Sequence, residues 1–88
     1  MIYELRFKES VKKDFKRIGR EAAARIIGDI RKKLLPDPHG AGKPLKGQDG
    51  SIWSFRSGDY RVLYVFNDNE IWVLILRVGH RKEIYKSL

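Results

Sequence analysis

The sequence predicts an α+β domain: an N-terminal strand, two helices, then a three-stranded antiparallel meander, with the helices packed on one face of the sheet. Three observations carry this expectation. Apolar side chains alternate in a short run near the start and in three runs after residue 50. Between them, apolar residues recur at helical spacing. Two short polar stretches, Ser57–Asp59 and Asn67–Glu70, separate the late strands with tight-turn chemistry. At 88 residues the chain has room for one domain, spanning 1–88, and most of its apolar positions are needed for packing.

The elements follow in order. "IYELRF" alternates and reads as the first strand. "ESVKKDFKRIG" places Val11, Phe15 and Ile18 on one helical face, and Gly19 is a stop signal. "EAAARIIGDIRKKLL" lines up Ala23, Ile26, Ile27, Ile30 and Leu34, leaving Arg25, Asp29, Arg31 and Lys32 largely outside the stripe. Pro36 and Pro38 end this helix. The stretch Pro36–Gly50, "PDPHGAGKPLKGQDG", is read as a loop pinned to the core by Leu45.

The runs "SIWSFRS", "DYRVLYVFN" and "EIWVLILRV" are strands, the last two a hairpin around Asn67–Glu70. Pairing around that turn sets opposite each other residues whose numbers sum to about 137, which puts Arg61 across from Leu76 and Arg77. In the first of these strands Tyr60, Val62, Tyr64 and Phe66 share a face; in the second Trp72, Leu74, Leu76 and Val78 do. Neither face is polar throughout. The helices cover one; a partner, a ligand or large rim side chains complete the other.

Composition narrows the function classes. There is no cysteine, which excludes disulfides and Cys-based metal sites or nucleophiles. No stretch is long and apolar enough to span a bilayer, and the N-terminus lacks a signal-peptide core, so a cytoplasmic protein without membrane partners is expected. The formal net charge is +8, with 19 Lys and Arg against 11 Asp and Glu. Such an excess favours polyanions or acidic proteins as partners.

The residues free for chemistry sit at strand ends. Arg56 and Arg61 flank the Ser57–Asp59 turn, while Arg77 and Arg81 lie at and just past the end of the last strand. Four arginines converging from three strands call for an anion, and phosphate suits the guanidinium fork. Any one of them alone reads better as a solvated rim residue; it is the convergence of four that points to a site. Lys43, Lys46 and Lys82 are further phosphate contacts. His80 is a general acid or base by residue type, or a surface histidine. Tyr85 stacks on a base or packs the C-terminal segment. His39, in the Pro/Gly stretch, is not placed for catalysis, and no histidine pair supports a metal site. Phosphate-binding glycine motifs and Ser/His/Asp spacings are absent.

Taken together, "KPLKG", "SIWSFRSGDYRVLY" and "RVGHRKEIY" resemble the successive landmarks of RelE-type toxins in the RelE/ParE superfamily. The resemblance covers essentially the whole chain. It implies an endoribonuclease that cuts mRNA in the ribosomal A site and is wrapped by a cognate antitoxin. The RNA's own 2′-hydroxyl attacks the adjacent phosphate, so neither a metal, a cofactor nor a protein nucleophile is required. By the same resemblance Arg61 stabilises the transition-state phosphate, Arg81 lies near the leaving group, and Tyr85 stacks on the substrate.

The chain also departs from that pattern. The best-known branch carries two lysines in the strand before the turn, one of them the base; Ile52 and Ser54 stand there instead. His80, Lys46 or Lys82 are the groups available to replace it. Two other functions fit the same residues: a ParE-like poison of DNA gyrase without nuclease activity, and a non-catalytic basic binding module. From the charge balance, an antitoxin is expected to be acidic where it touches this chain, or to offer an amphipathic helix.

Overall fold

The computed structural model describes residues 2–45 and 51–84. Lys46 and Tyr85, both candidates above, lie outside the described residues. In chain order the elements are β1 (Glu4–Phe7), α1 (Val11–Ile18), α2 (Arg20–Asp29), a π-helical turn (Ile30–Leu34), α3 (Pro38–Ala41), β2 (Gly42–Pro44), β3 (Trp53–Ser57), β4 (Tyr60–Asn67) and β5 (Trp72–His80). The α+β class and the β3–β4–β5 meander agree with the sequence expectation. The sheet is larger than expected, with five strands in the order β1-β5-β4-β3-β2. β1 runs parallel to β5, and every other pair is antiparallel.

Gly19 separates α1 from α2 at φ 95°, a backbone state that side chains resist. Along the second helix Ile26, Ile30 and Leu34 are fully buried, the i, i+4, i+8 stripe read from the sequence. The helix then widens: the Leu35 N–H bonds to the Ile30 carbonyl five residues back, at 2.9 Å. That wider turn brings Leu35 inside as well as Leu34 before Pro36 stops the chain. These residues meet Phe55, Val62, Tyr64, Val73, Ile75 and Val78 from one face of the sheet. Each fully buried aliphatic side chain contributes about 1.5–3 kcal/mol of transfer free energy.

The stretch 36–50, expected to be a loop, holds two elements among its described residues. Asp37 accepts the Gly40 N–H at 3.0 Å through its side chain, and Pro38 sits in the first turn, which closes the short helix α3. Gly42, Lys43 and Pro44 then pair with Phe55, Ser54 and Trp53 as the edge strand β2. Proline and glycine signal punctuation, but both are compatible with an edge strand. Gly42 is required by close approach: a Cβ there would collide with the Tyr64 hydroxyl, which donates to the Pro38 carbonyl at 2.7 Å.

The β4–β5 register also differs from expectation. Asn67 pairs with Trp72, and an irregularity at Leu63/Tyr64 shifts the pairing once more, so Arg61 faces Gly79 and Leu63 faces Arg77. The turn is four residues, Asp68–Ile71, one position later than expected, with Ile71 at φ 59° inside it. The bulge reverses the alternation: Val78 joins Val73 and Ile75 on the helix side, and Leu76 does not share a face with Val78.

β1 pairs with β5 only from Trp72 to Ile75. Beyond that point the β1–α1 connection and α1 satisfy the β5 edge. Lys8 donates its N–H to the Ile75 carbonyl at 2.9 Å, and the buried Asp14 carboxylate accepts the Val78 N–H at 3.1 Å. This resolves an apparent anomaly, a carboxylate on the inner side of an otherwise basic helix. On the face away from the helices, the chain's own C-terminal turn covers part of the sheet: Ile84 is buried, with its side chain against Gly79.

Candidate functional site

The helix-free face is built by alternation. Residues paired across the strands share a face, so Lys43 and Ser54, Arg56 and Arg61, and Leu63 and Arg77 all point away from the helices. Lys43, Ser54, Arg56 and Arg61 line one open cleft of about 530 Å³, together with Ala41, Gly42, Pro44 and Leu45. Among the described residues, three cations and no carboxylate line this cleft. Arg56 and Arg61 are direct cross-strand partners, a like-charge pair that costs stability unless an anion compensates it. The Arg61 guanidinium is held by the Tyr60 carbonyl at 3.3 Å. Lys43 lies on the strand next to β3, opposite Ser54, one of the two positions where the resembled branch has lysine.

Two other sequence candidates lie at the same end of the sheet. The Arg81 N–H donates to the Asp59 carbonyl in the β3–β4 turn at 2.9 Å, which ties the chain leaving β5 to the turn between Arg56 and Arg61. Arg81 and Lys82 are exposed. Arg77 shares the helix-free face but lines cavities on the open edge of β5 with Arg17. His80 pairs with Tyr60 on the helix side, their rings edge-to-face at 5.9 Å, and it lines the cavity with Arg17 and Arg77 rather than the cleft with Arg61.

His39 has a structural setting that the sequence did not suggest. Its Nε2 lies 2.9 Å from Asp68 in the β4–β5 turn, and Asp68 also accepts from the Tyr3 hydroxyl at 2.7 Å. The ring packs edge-on against Phe66 and Trp53. The Tyr3 hydroxyl bond, and then the His39 bond, hold the Asp68 carboxyl below the usual carboxylate range. Tyr3 and Asp68 are too far apart in sequence for spacing to have paired them. Among the described residues no group of three or more His, Cys, Asp or Glu side chains is placed to hold a metal ion. None of the helices among them is long and apolar enough to cross a membrane.

Comparison with known proteins gives the family. A family model described as "ParE toxin of type II toxin-antitoxin system, parDE" matches residues 5–85. Toxin RelG of Mycobacterium tuberculosis is 34% identical over 86 residues, covering 98% of this chain and 99% of the relative. The toxin–antitoxin complex RelBE2 from the same organism contains a chain that superimposes with a TM-score of 0.85 at 32% identity, covering 92% of this chain and 93% of that one. A mutant of Escherichia coli toxin RelE in the free state gives a TM-score of 0.74 at 25% identity, covering 97% and 90%. With a family model spanning nearly all of the chain and a curated toxin more than 30% identical along it, this chain belongs to the RelE/ParE superfamily as a toxin of the type II toxin–antitoxin class.

Proposed function

We propose that this toxin is a ribosome-dependent endoribonuclease that cleaves mRNA and so inhibits translation. The observation that carries the reading is the open cleft on the helix-free face, where Lys43, Arg56 and Arg61 converge without a carboxylate among the described lining residues. Such a cleft attracts a phosphodiester and neutralises the charge that builds on it.

The chemistry belongs to the RNA. Its 2′-oxygen forms a bond to the adjacent phosphorus and loses its proton, and the bond from phosphorus to the 5′-oxygen breaks, with that oxygen gaining a proton. The products are a 2′,3′-cyclic phosphate and a 5′-hydroxyl. The protein orients the chain for in-line attack and stabilises the phosphorane. Arg61 and Arg56 face the non-bridging oxygens, Lys43 holds a phosphate from β2, and Arg81 approaches from the turn tied to Asp59. Arg77 and Lys82 extend the basic surface along β5. The resemblance gives Tyr85 the stacking role and Lys46 a further phosphate contact.

A nuclease of this kind needs restraint, and its partner is a cognate antitoxin. The solved relative RelBE2 is a toxin–antitoxin complex. On this chain the exposed basic residues of α1, among them Lys12, Lys13, Lys16 and Arg17, favour an acidic partner, and exposed Phe7 offers apolar contact.

Primer extension on a translated message, with and without induced protein, tests the activity. New 5′ ends at codon-spaced positions are expected. Intact message accompanied by DNA supercoiling defects would replace this reading with gyrase poisoning, and neither effect would leave a basic binding module.

A further inference from the structure

Three consecutive backbone N–H groups after β5 each find an acceptor. Arg81 donates to the Asp59 carbonyl at 2.9 Å, Lys82 to the His80 ring Nδ1 at 3.2 Å, and Glu83 to the His80 carbonyl at 2.9 Å. A backbone N–H only donates, so Nδ1 must be the unprotonated nitrogen and the neutral ring carries its proton on Nε2. The ring itself is half-buried against Tyr60, on the side of the sheet away from Arg61. Tyr60, Arg17, Arg77 and Glu83 line the cavity of about 530 Å³ that it borders. The turn that follows ends on Ile84, buried against Gly79.

From this we infer that His80 is a positioning residue: it caps the turn that carries Arg81 and holds that arginine against the β3–β4 turn, rather than moving a proton in the cleft. The inference rests on the cleavage reading for its kinetic consequence. The geometric case is independent of that reading. Removing the Nδ1 acceptor leaves the Lys82 N–H to solvent and frees the Arg81 backbone to drift, and a misplacement of about 1 Å costs on the order of a hundredfold in rate.

The test uses side chains that separate the two ring nitrogens. In His80→Asn the amide oxygen sits on Cγ, as Nδ1 does, and accepts the same N–H. In His80→Gln the polar group is carried one carbon further out and the acceptor at Cγ is lost. Expected are message cleavage within about threefold of wild type for His80→Asn, and a loss on the order of tenfold or more for His80→Gln and His80→Ala. Equal large losses in all three variants would return His80 to proton transfer, and wild-type rates in all three would make it a surface residue; both results overturn the proposal.

A second measurement needs no variant and no activity. Nitrogen-15 NMR of the full-length wild-type protein should show neutral His80 with its proton on Nε2 and a protected Lys82 amide. A proton on Nδ1 would overturn the assignment. If the wild type cuts no message, the nuclease reading fails, and the tautomer and amide protection still decide the turn.

Discussion

Arg56 and Arg61 stand directly opposite one another across β3 and β4, on the face that no helix covers. Neither has an ion-pair partner among the described residues, and one glycine-containing turn, Ser57–Tyr60, joins them. The Gly58 backbone at φ 58° makes that turn tight enough to hold the pair in register. The repulsion between them is a cost carried in the free protein, and an anion seated between them would relieve it.

Replacing either member of the pair should therefore cut activity without loss of fold. Arg61→Ala and Arg56→Ala are each expected to raise the cleavage barrier by about 3 kcal/mol. Arg81→Ala should abolish growth arrest, while Arg31→Ala, exposed on the far side of the molecule, should leave it intact. Growth curves and primer extension on the four variants provide the comparison, and equal toxicity in all of them would dismantle the site.

Lys43 stands directly opposite Ser54 across β2 and β3. Lys43→Ala should slow cleavage, and the double variant Lys43→Ala, Ser54→Lys should recover part of the loss, because the paired register sets a lysine at either position into the same cleft. No recovery would show that a cation at this point of the sheet does not suffice.

Asp14 tests the cap on β5. Asp14 is 5% exposed, and its carboxylate accepts the Val78 N–H. Asp14→Ala leaves that donor buried and unpaired, an expected loss of about 1–3 kcal/mol in denaturant unfolding. Asp14→Asn retains an acceptor oxygen and should lose less. If the two variants unfold at the same midpoint, the hydrogen bond is not the source of the stability.

Tyr64 predicts an alkaline limit. Burial, and then the nearby Asp37 charge, push its phenol well above the ordinary tyrosine range. A group raised in the folded state contributes stability that is complete below its unfolded value and is lost as pH rises toward the folded one. Unfolding free energy should fall above about pH 10 by roughly 1.4 kcal/mol per pH unit, because only the unfolded chain releases the proton. Tyr64→Phe should flatten this slope while costing stability at neutral pH through the unpaired Pro38 carbonyl.

Co-expression with the neighbouring open reading frame should restore growth and yield a co-purifying complex. Raised salt should slow its assembly more than its dissociation, since charge governs encounter and apolar burial governs release. A protein harmless on its own would remove the toxin reading.

The sequence carried the parts of the fold whose signal is local. Alternation in β4 and the Ile26–Ile30–Leu34 stripe were readable because period 2 and period 3.6 survive in single segments. The strand Gly42–Pro44 was not, since its glycine and proline are punctuation residues and its pairing with Trp53–Phe55 is a tertiary fact. A turn set later than expected, and then the irregularity at Leu63/Tyr64, moved Arg61 from Leu76 and Arg77 to Gly79, which no propensity encodes. Within the site, Arg56 and Arg61 were legible because a tight turn forces them together. The side of the sheet taken by His80 depended on that same irregularity, as did the membership of Val78 in the core.

β1 finds its place only through β5: Glu4 aligns with Trp72 and Phe7 with Ile75. The first strand made is therefore among the last to be paired, and it must wait while nearly the whole chain is synthesised. Contacts so distant in sequence slow folding. Until β5 emerges, the half-buried Leu5 has no sheet to join, and Asp14 has no Val78 amide to cap. A ribosome translating this message thus carries an incomplete toxin, and that delay would give an antitoxin made alongside it time to be present when the sheet closes.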